Sequence, residues 1–441
     1  MDNTIERYKS FLDNGKTERE CIKEIVALAE EKGYKNLENV KSVKAGDKVY
    51  ITQYAKSIAL FHIGNDDIEK GMNILGAHID SPRLDVKMNP LYESDGLVYL
   101  DTHYYGGIKK YQWVTLPLAI HGVIIKTNGE KVEVTMGEND DEFTLCISDL
   151  LPHMAQEQMK KVASEFIPGE DLDVVIGLDA AEETDDKEKD KGKKRILSIL
   201  KEKYNIEEKD FLSAELEIVP AGKAKYLGLD KSMVLGYGQD DRVCSFTSLD
   251  ALLEGKTEDR TSCCLLVDKE EIGSVGATGM DSAFLANVTA ELLERMGAAS
   301  DIKLRRTLRN SMMLSSDVNS AYDPLNASLF DKRNSSYLAR GVVFNKYTGS
   351  RGKSGASDAN AEFVGKLRGC LEASGVKYQM AEMSKVDVGG GGTIAKYAAY
   401  YGMQVIDCGV AVLSMHAPWE ITAVKDIEYA KACYKAFLTL K

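Results

Sequence analysis

The sequence predicts an α/β protein: a mixed sheet covered by helices on both faces, with a β-rich domain inserted into it. Three observations carry that expectation. Apolar strands and amphipathic helices alternate from about residue 232 to the end of the chain. Between about 90 and 230 the texture changes to short β-rich stretches. The 441 residues exceed the roughly 150 of an average domain, so more than one domain fits. The expected division is 1–89 for the first part of the main domain, 90–231 for the insertion and 232–441 for the second part.

The elements are taken in chain order. Residues 17–33 read as a helix, with Thr17 and Glu20 at capping-box spacing and Gly33 as the stop. VYITQYAKSIALFHIG alternates as strands do, and NILGAHID (73–80) is an apolar strand running into polar residues. In the insertion, GLVYLDTHYY, WVTLPLAIHGVIIKT, KVEVTMG and LSAELEIVPAG are β-rich, with a turn at Asn128–Gly129. The run 182–195, acid and then base, reads as a solvated loop or helix flank. Further on, CCLLVD (263–268) and NSMMLSSD (310–317) read as strands. Residues 282–297 and 357–375 read as helices, the second with an N-cap at Ser357 and a stop at Gly375. MQVIDCGVAVLSMH is a strand entering a loop, and KDIEYAKACYKAFLTL closes the chain as a helix.

Composition excludes several classes. With 56 basic and 69 acidic residues the formal net charge is 56 − 69 = −13, which argues against a nucleic-acid partner or an anionic membrane surface. No apolar run approaches the roughly 18 residues of a membrane span. The first residues lack the basic and apolar regions of a signal peptide. Eight cysteines lie scattered without a CxxC pair, so they read as reduced and mostly buried. Together these predict a cytoplasmic location. Only six histidines are present, so any metal site must lean on carboxylates.

The polar residues at strand ends point to chemistry. His78 and Asp80 come after one apolar strand, and Asp240 and Asp241 after a glycine-rich turn. Glu270 and Glu271 end another strand, while Asp317 and His416 stand in comparable places. In open α/β sheets, ligands bind outside the carboxyl ends of the strands. Two imidazoles and at least three carboxylates hold two zinc-type ions if one carboxylate is shared, leaving each ion an open position. A glutamate doublet suits a division of labour, one carboxylate ligating and its neighbour taking a proton. Asp80, two residues past His78 on extended chain, faces the same side and can orient the imidazole.

Singly, each cluster has an ordinary structural reading. A histidine at a strand end is usually a satisfied polar residue, two aspartates after glycine usually cap a helix or turn, and a glutamate pair usually lies on the surface. Asp317 can cap the following turn, and Asp323–Pro324 is turn chemistry. Five such clusters together favour a two-metal site, because buried charges must be paired or coordinated.

GAHIDSPRLDVK, GQDDRVCSF, DKEEIGS, SSDVNSAYDP and LSMHAPWE, in this order, resemble the aspartyl aminopeptidase/aminopeptidase I family of di-zinc metallopeptidases. The likeness is strongest over 74–118 and 235–420, and it implies the di-zinc exopeptidase fold with an inserted domain. It implies Asp240 as the carboxylate shared by two zinc ions, a choice over Asp241 that spacing alone leaves open. His78 and Asp317 would complete one site, and Glu271 and His416 the other, with cobalt or manganese as possible substitutes. Glu270 would be the general base and Asp80 the orienter of His78. ISDLLPHMAQ resembles the segment where the family places a histidine that enters a neighbouring subunit's site. That implies an oxyanion-stabilising role for His153 and a homododecamer with peptide substrates; without the resemblance, His153 is a turn residue. VDVGGGGT (386–393) is glycine-dense enough for backbone to approach a ligand, and it lacks the ending of a phosphate loop. The stretch 342–363 departs from the pattern where acid-preferring members carry a lysine; Lys346 and Lys353 are the lysines there, each readable as an ordinary surface residue.

The expected function is a zinc-dependent aminopeptidase that releases single N-terminal residues by metal-hydroxide attack with a glutamate general base. One alternative is an N-acyl amino acid deacylase or carboxypeptidase on the same di-metal scaffold. Another, of a different class, is a non-catalytic assembly or binding protein.

Overall fold

The computed structural model describes residues 4–139, 141–179 and 189–441. Over these residues the chain falls into two units. One comprises Met1–Ser81, Ala224–Met415 and Glu420–Lys441, and the other Pro82–Lys223 and His416–Trp419. The expected borders at 90 and 231 thus move to 82 and 223, and four residues around His416 join the second unit. The shift at 90 has a plain cause. Arg83–Ser94 is one strand, and it pairs with Leu97–Tyr105 on one side and with Ala214–Pro220 on the other.

The first unit is built on a nine-stranded mixed sheet. At its centre Thr261–Val267, Met72–His78, Met312–Ser316 and Gln404–Gly409 run parallel. Ser57–His62 and Val342–Asn345 flank them antiparallel. These central strands are continuous apolar runs because both faces are covered. Side chains alternate between two cores. Leu75, Ala77, Cys264, Leu266 and Leu314 pack with the helices Thr4–Asn14, Glu18–Glu31, Gln239–Leu253 and Val424–Leu438. Ile74, Cys263, Leu265, Val267 and Met313 pack on the other side with Phe284–Arg295.

Local signals set several boundaries. The Glu18–Glu31 helix opens on the capping box of Thr17 with Glu20, each side chain bonded to the other residue's backbone N–H. Asp323 caps the turn after it through Leu325 N–H. The helix expected from Ser357 begins instead at Ala361 with Asn360 as N-cap. Ala359 N–H is already committed to the Lys346 carbonyl, which holds the preceding residues out of the helix. MQVIDCGVAVL does not stay in one sheet. Gln404–Gly409 belongs to the nine-stranded sheet, and Ala411–Leu413 to a five-stranded one formed with 225–227, 233–236, 420–423 and 319–320. That small sheet had no expectation attached to it, because its strands are two to four residues long.

The second unit is an antiparallel six-stranded sheet. A helix, Lys191–Tyr204, adds to it. The basic half of the charge run 182–195 opens that helix; residues 182–188 lie outside the described residues. All eight cysteines are free and six of them buried. No helix among the described residues is long and apolar enough to cross a membrane.

Candidate metal centre

The parallel strands deliver the site. Val267 and His78 stand in register on neighbouring strands, and Gly76 pairs with Ser315 on the next. The segments beyond the strand ends therefore leave the sheet from the same edge. His78 is the last residue of its strand, and Asp317 comes one residue after Met312–Ser316. Glu270 and Glu271 lie in a single tight turn just past Thr261–Val267. Lys269 and Gly273, both with positive φ, close that turn. Asp240 and Asp241 stand at the start of the fully buried helix Gln239–Leu253, joined by a cis peptide bond.

Among the described residues three sets of side chains bring ligand atoms within 4.8 Å of one another: His78 with Glu270 and Asp317; His78 with Asp240 and Glu271; and Asp240 with Asp241 and Asp317. His78 Nε2 lies 3.2 Å from Asp240 Oδ1, 3.9 Å from Asp317 Oδ1 and 4.0 Å from Glu270 Oε2. Its Nδ1 faces Asp80, 3.0 Å from the backbone carbonyl and 3.2 Å from Oδ1. Both partners are acceptors, so Nδ1 carries the proton and Nε2 is the nitrogen turned to the carboxylates.

Asp80 does more than face the imidazole. Its Oδ1 accepts the Glu270 backbone N–H and its Oδ2 the Glu271 N–H, each at 3.2 Å. One buried carboxylate thus holds the strand end of His78 and the turn of both glutamates in a common frame. Hydrogen bonds to a charged group are worth about 1.5–3 kcal/mol each. Asp80→Ala is expected to lower kcat/KM by about 10–100-fold. Circular dichroism together with steady-state kinetics checks this, and wild-type kinetics in the variant would remove Asp80 from the frame.

Other polar groups support the aspartates. Asp240 N–H donates to Glu420 Oε2 at 2.9 Å, and Ser81 Oγ donates to the Asp240 carbonyl at 2.7 Å. His78 N–H donates to Asp241 Oδ2 at 3.4 Å, and Ser245 Oγ to the His78 carbonyl at 2.6 Å. Glycine is required beside Asp317, since a Cβ at Gly409 would lie 1.8 Å from the Asp317 carbonyl oxygen.

The electrostatics describe a site made for cations. Burial, and then the nearby Asp241 and Glu270, push the Asp317 carboxyl well above the usual range. Burial likewise raises Asp241, with Asp240 adding to it. Burial opposes charge on His78, yet Asp240 and Asp80 raise it well above its ordinary value. So many carboxylates in so little water demand positive charge. Oxygen donors plus an imidazole with a fixed tautomer are a donor set that suits zinc and its neighbours. The residues fit a metal.

His416 falls in the second unit. Its backbone has φ +63°, its Nδ1 donates to the Gly107 carbonyl at 2.8 Å, and it belongs to none of the three convergent groups found among the described residues. His153 is exposed on a turn of the same unit. Lys346 and Lys353 both pair with Asp358, at 3.8 and 3.2 Å. Glu420 closes the LSMHAPWE motif with no role read for it there, and Gly409 carries no signal in the sequence; their contacts reveal what each does.

The profile described as aminopeptidase I zinc metalloprotease (M18) matches residues 11–438. The protein belongs to this family. It is accordingly a metalloaminopeptidase, a hydrolase acting on peptide bonds. A curated relative, the probable M18 family aminopeptidase 1 of Clostridium acetobutylicum, is 56% identical over 437 residues, covering 98% of this chain and 94% of its own. The crystal structure of an M18 aminopeptidase from Thermotoga maritima superposes with a TM-score of 0.94 at 40% identity, covering 99% and 96% of the two chains. The mApe1 dodecamer of S. cerevisiae shares the fold, with a TM-score of 0.78 at 22% identity over 99% and 96%.

Proposed function

We propose that this aminopeptidase releases single N-terminal residues from peptides with two zinc ions and Glu270 as general base. In this reading Asp240 would be shared between the ions, His78 and Asp317 would complete one set of ligands, and Glu271 and His416 the other. The observation that supports it is the reach of Asp240, which converges once with His78 and Glu271 and once with Asp241 and Asp317; His78 and Asp317 likewise each stand in two of the three groups. When bound, the metals supply Lewis-acid polarisation of the scissile carbonyl and activation of a water molecule.

The chain's own residues do the rest. Glu270 takes the proton from the attacking water and returns it to the leaving amine, the role for which a positioned carboxylate suffices. Asp80 holds His78 in the tautomer that presents Nε2 and keeps Glu270 and Glu271 on one turn. His153, exposed on its turn, is assigned to the site of a neighbouring subunit, where it would donate a hydrogen bond to the developing oxyanion. The resemblance of its segment supports that assignment, and it brings with it a homododecamer like the yeast assembly. The eight unbridged cysteines suit a reducing, cytoplasmic setting.

The decisive comparison sets aminoacyl-nitroanilides against N-acetylated amino acids, with zinc, cobalt and manganese each supplied in turn. Hydrolysis of the free-amine substrates is expected. Turnover confined to the acylated ones would favour the deacylase reading and sink this one.

A further inference from the structure

Beside the strand that carries Asp317, two glycine-rich loops are joined to each other and to the sheet. Gly349 N–H donates to the Gly391 carbonyl at 2.7 Å. Gly390, at φ +136°, comes so near that a Cβ there would lie 2.0 Å from the Gly349 carbonyl oxygen. The loops meet backbone against backbone, which only glycine permits. Between them lies a cavity of about 330 Å³, lined among others by Tyr347, Lys353, Glu382 and Asp387.

What ties this pair of loops to the sheet is one buried carboxylate. Asp407, only 2% exposed, accepts from Thr393 Oγ1 at 2.5 Å and from Ser315 Oγ at 3.1 Å. Asn345, which ends the strand before the first loop, stands opposite Asp407 in the antiparallel register. Thr393 ends the second loop, where its oxygen also accepts Ala395 N–H at 3.2 Å. Ser315 and Asp407 face each other in register on parallel strands, and Ser315 is two residues before Asp317. On the next rung Asp317 N–H donates to the Cys408 carbonyl. An acceptor-only group suits two converging hydroxyl donors. Burial pushes the Asp407 carboxyl up to about 6, against the pull of those hydroxyls.

We infer that Asp407 is a positioning residue: through Thr393 and Ser315 it pins the second glycine loop, and with it the first loop bonded to that one, to the strand that leads into Asp317, and so sets the pocket that receives the substrate. The part about substrate rests on the peptidase reading above. The pinning itself does not.

The test uses full-length Asp407→Asn, with Thr393→Val and Thr393→Ala as milder variants that each delete the loop's donor. Hydrogen exchange of residues 347–353 and 386–393 is measured with and without zinc, and kcat and KM over a panel of N-terminal residues. Exchange in both loops is expected to accelerate, while Met72–His78 and Thr261–Val267 stay protected. KM should rise about tenfold, unequally across the panel, with kcat and zinc content nearly unchanged. Wild-type exchange and wild-type KM in folded variants would overturn the inference. So would a uniform fall in kcat at constant KM, which is the mark of a smaller folded fraction. If Asp407→Asn does not fold, the two threonine variants carry the same readouts. A wild-type chain inactive on peptides would instead defeat the peptidase reading, and loop exchange would still decide the pinning.

Discussion

Glu270→Gln is expected to lower kcat by about 10²–10⁴-fold with zinc content unchanged. The amide has the shape of the carboxylate and leaves the backbone N–H of Glu270 bonded to Asp80 Oδ1, so the turn keeps its form. What it loses is the ability to accept a proton. Both glutamates reach toward His78, Glu270 in company with Asp317 and Glu271 in company with Asp240. The matched variant Glu271→Gln is therefore the control, and it should lose metal as well as rate. Metal analysis and kinetics on the pair decide between the two roles. A reversed outcome, with Glu270→Gln short of zinc and Glu271→Gln fully loaded, would exchange their assignments; full turnover by Glu270→Gln would end the general-base mechanism.

On the proposed two-zinc reading, Asp240→Ala is expected to have the largest effect of any single substitution, taking bound zinc from two per chain to below one and leaving activity at background. A carboxylate shared between two ions costs both sites when it is removed. Two acids, the buried Asp241 and the half-buried Asp317, then remain without the cation that balances them. Thermal unfolding supplies an independent readout. A ligand present at about a hundredfold its Kd stabilises a folded protein by about 2.7 kcal/mol. Added zinc should thus raise the wild-type Tm and leave that of Asp240→Ala nearly unmoved. A variant that retains two ions, or that still responds to zinc in this way, would show that Asp240 is not the shared ligand.

Much of this centre was legible because its acidic and histidine residues stand just past strands, and strands of this kind are conspicuous. NILGAHID, CCLLVD and MMLSSD each show an apolar run breaking off into His, Asp or Glu, and the structure brings all three breaks to one edge. The N-terminal capping box was equally legible, since its two partners are three residues apart. The Ser357 cap failed for the opposite reason. Its sequence is a good helix start, but a bond from Ala359 to distant Lys346 outbids it, and no local propensity contains that bond. The small five-stranded sheet escaped notice because two to four residues are too few to display a period.

The chemical inventory is written in the sequence: which imidazoles and carboxylates are offered, and that they stand at the ends of apolar strands in an acidic chain poor in histidine. Tertiary structure alone decided how they are held. Asp80 grips a turn 190 residues away, Glu420 braces Asp240 from 180 residues away, and Asp407 gathers hydroxyls from two segments. Such bonds are invisible along the chain because they join residues whose only relation is the sheet between them. A periodic pattern reports what its own neighbours bury, whereas a buried carboxylate's partners are settled only when distant backbone folds onto it.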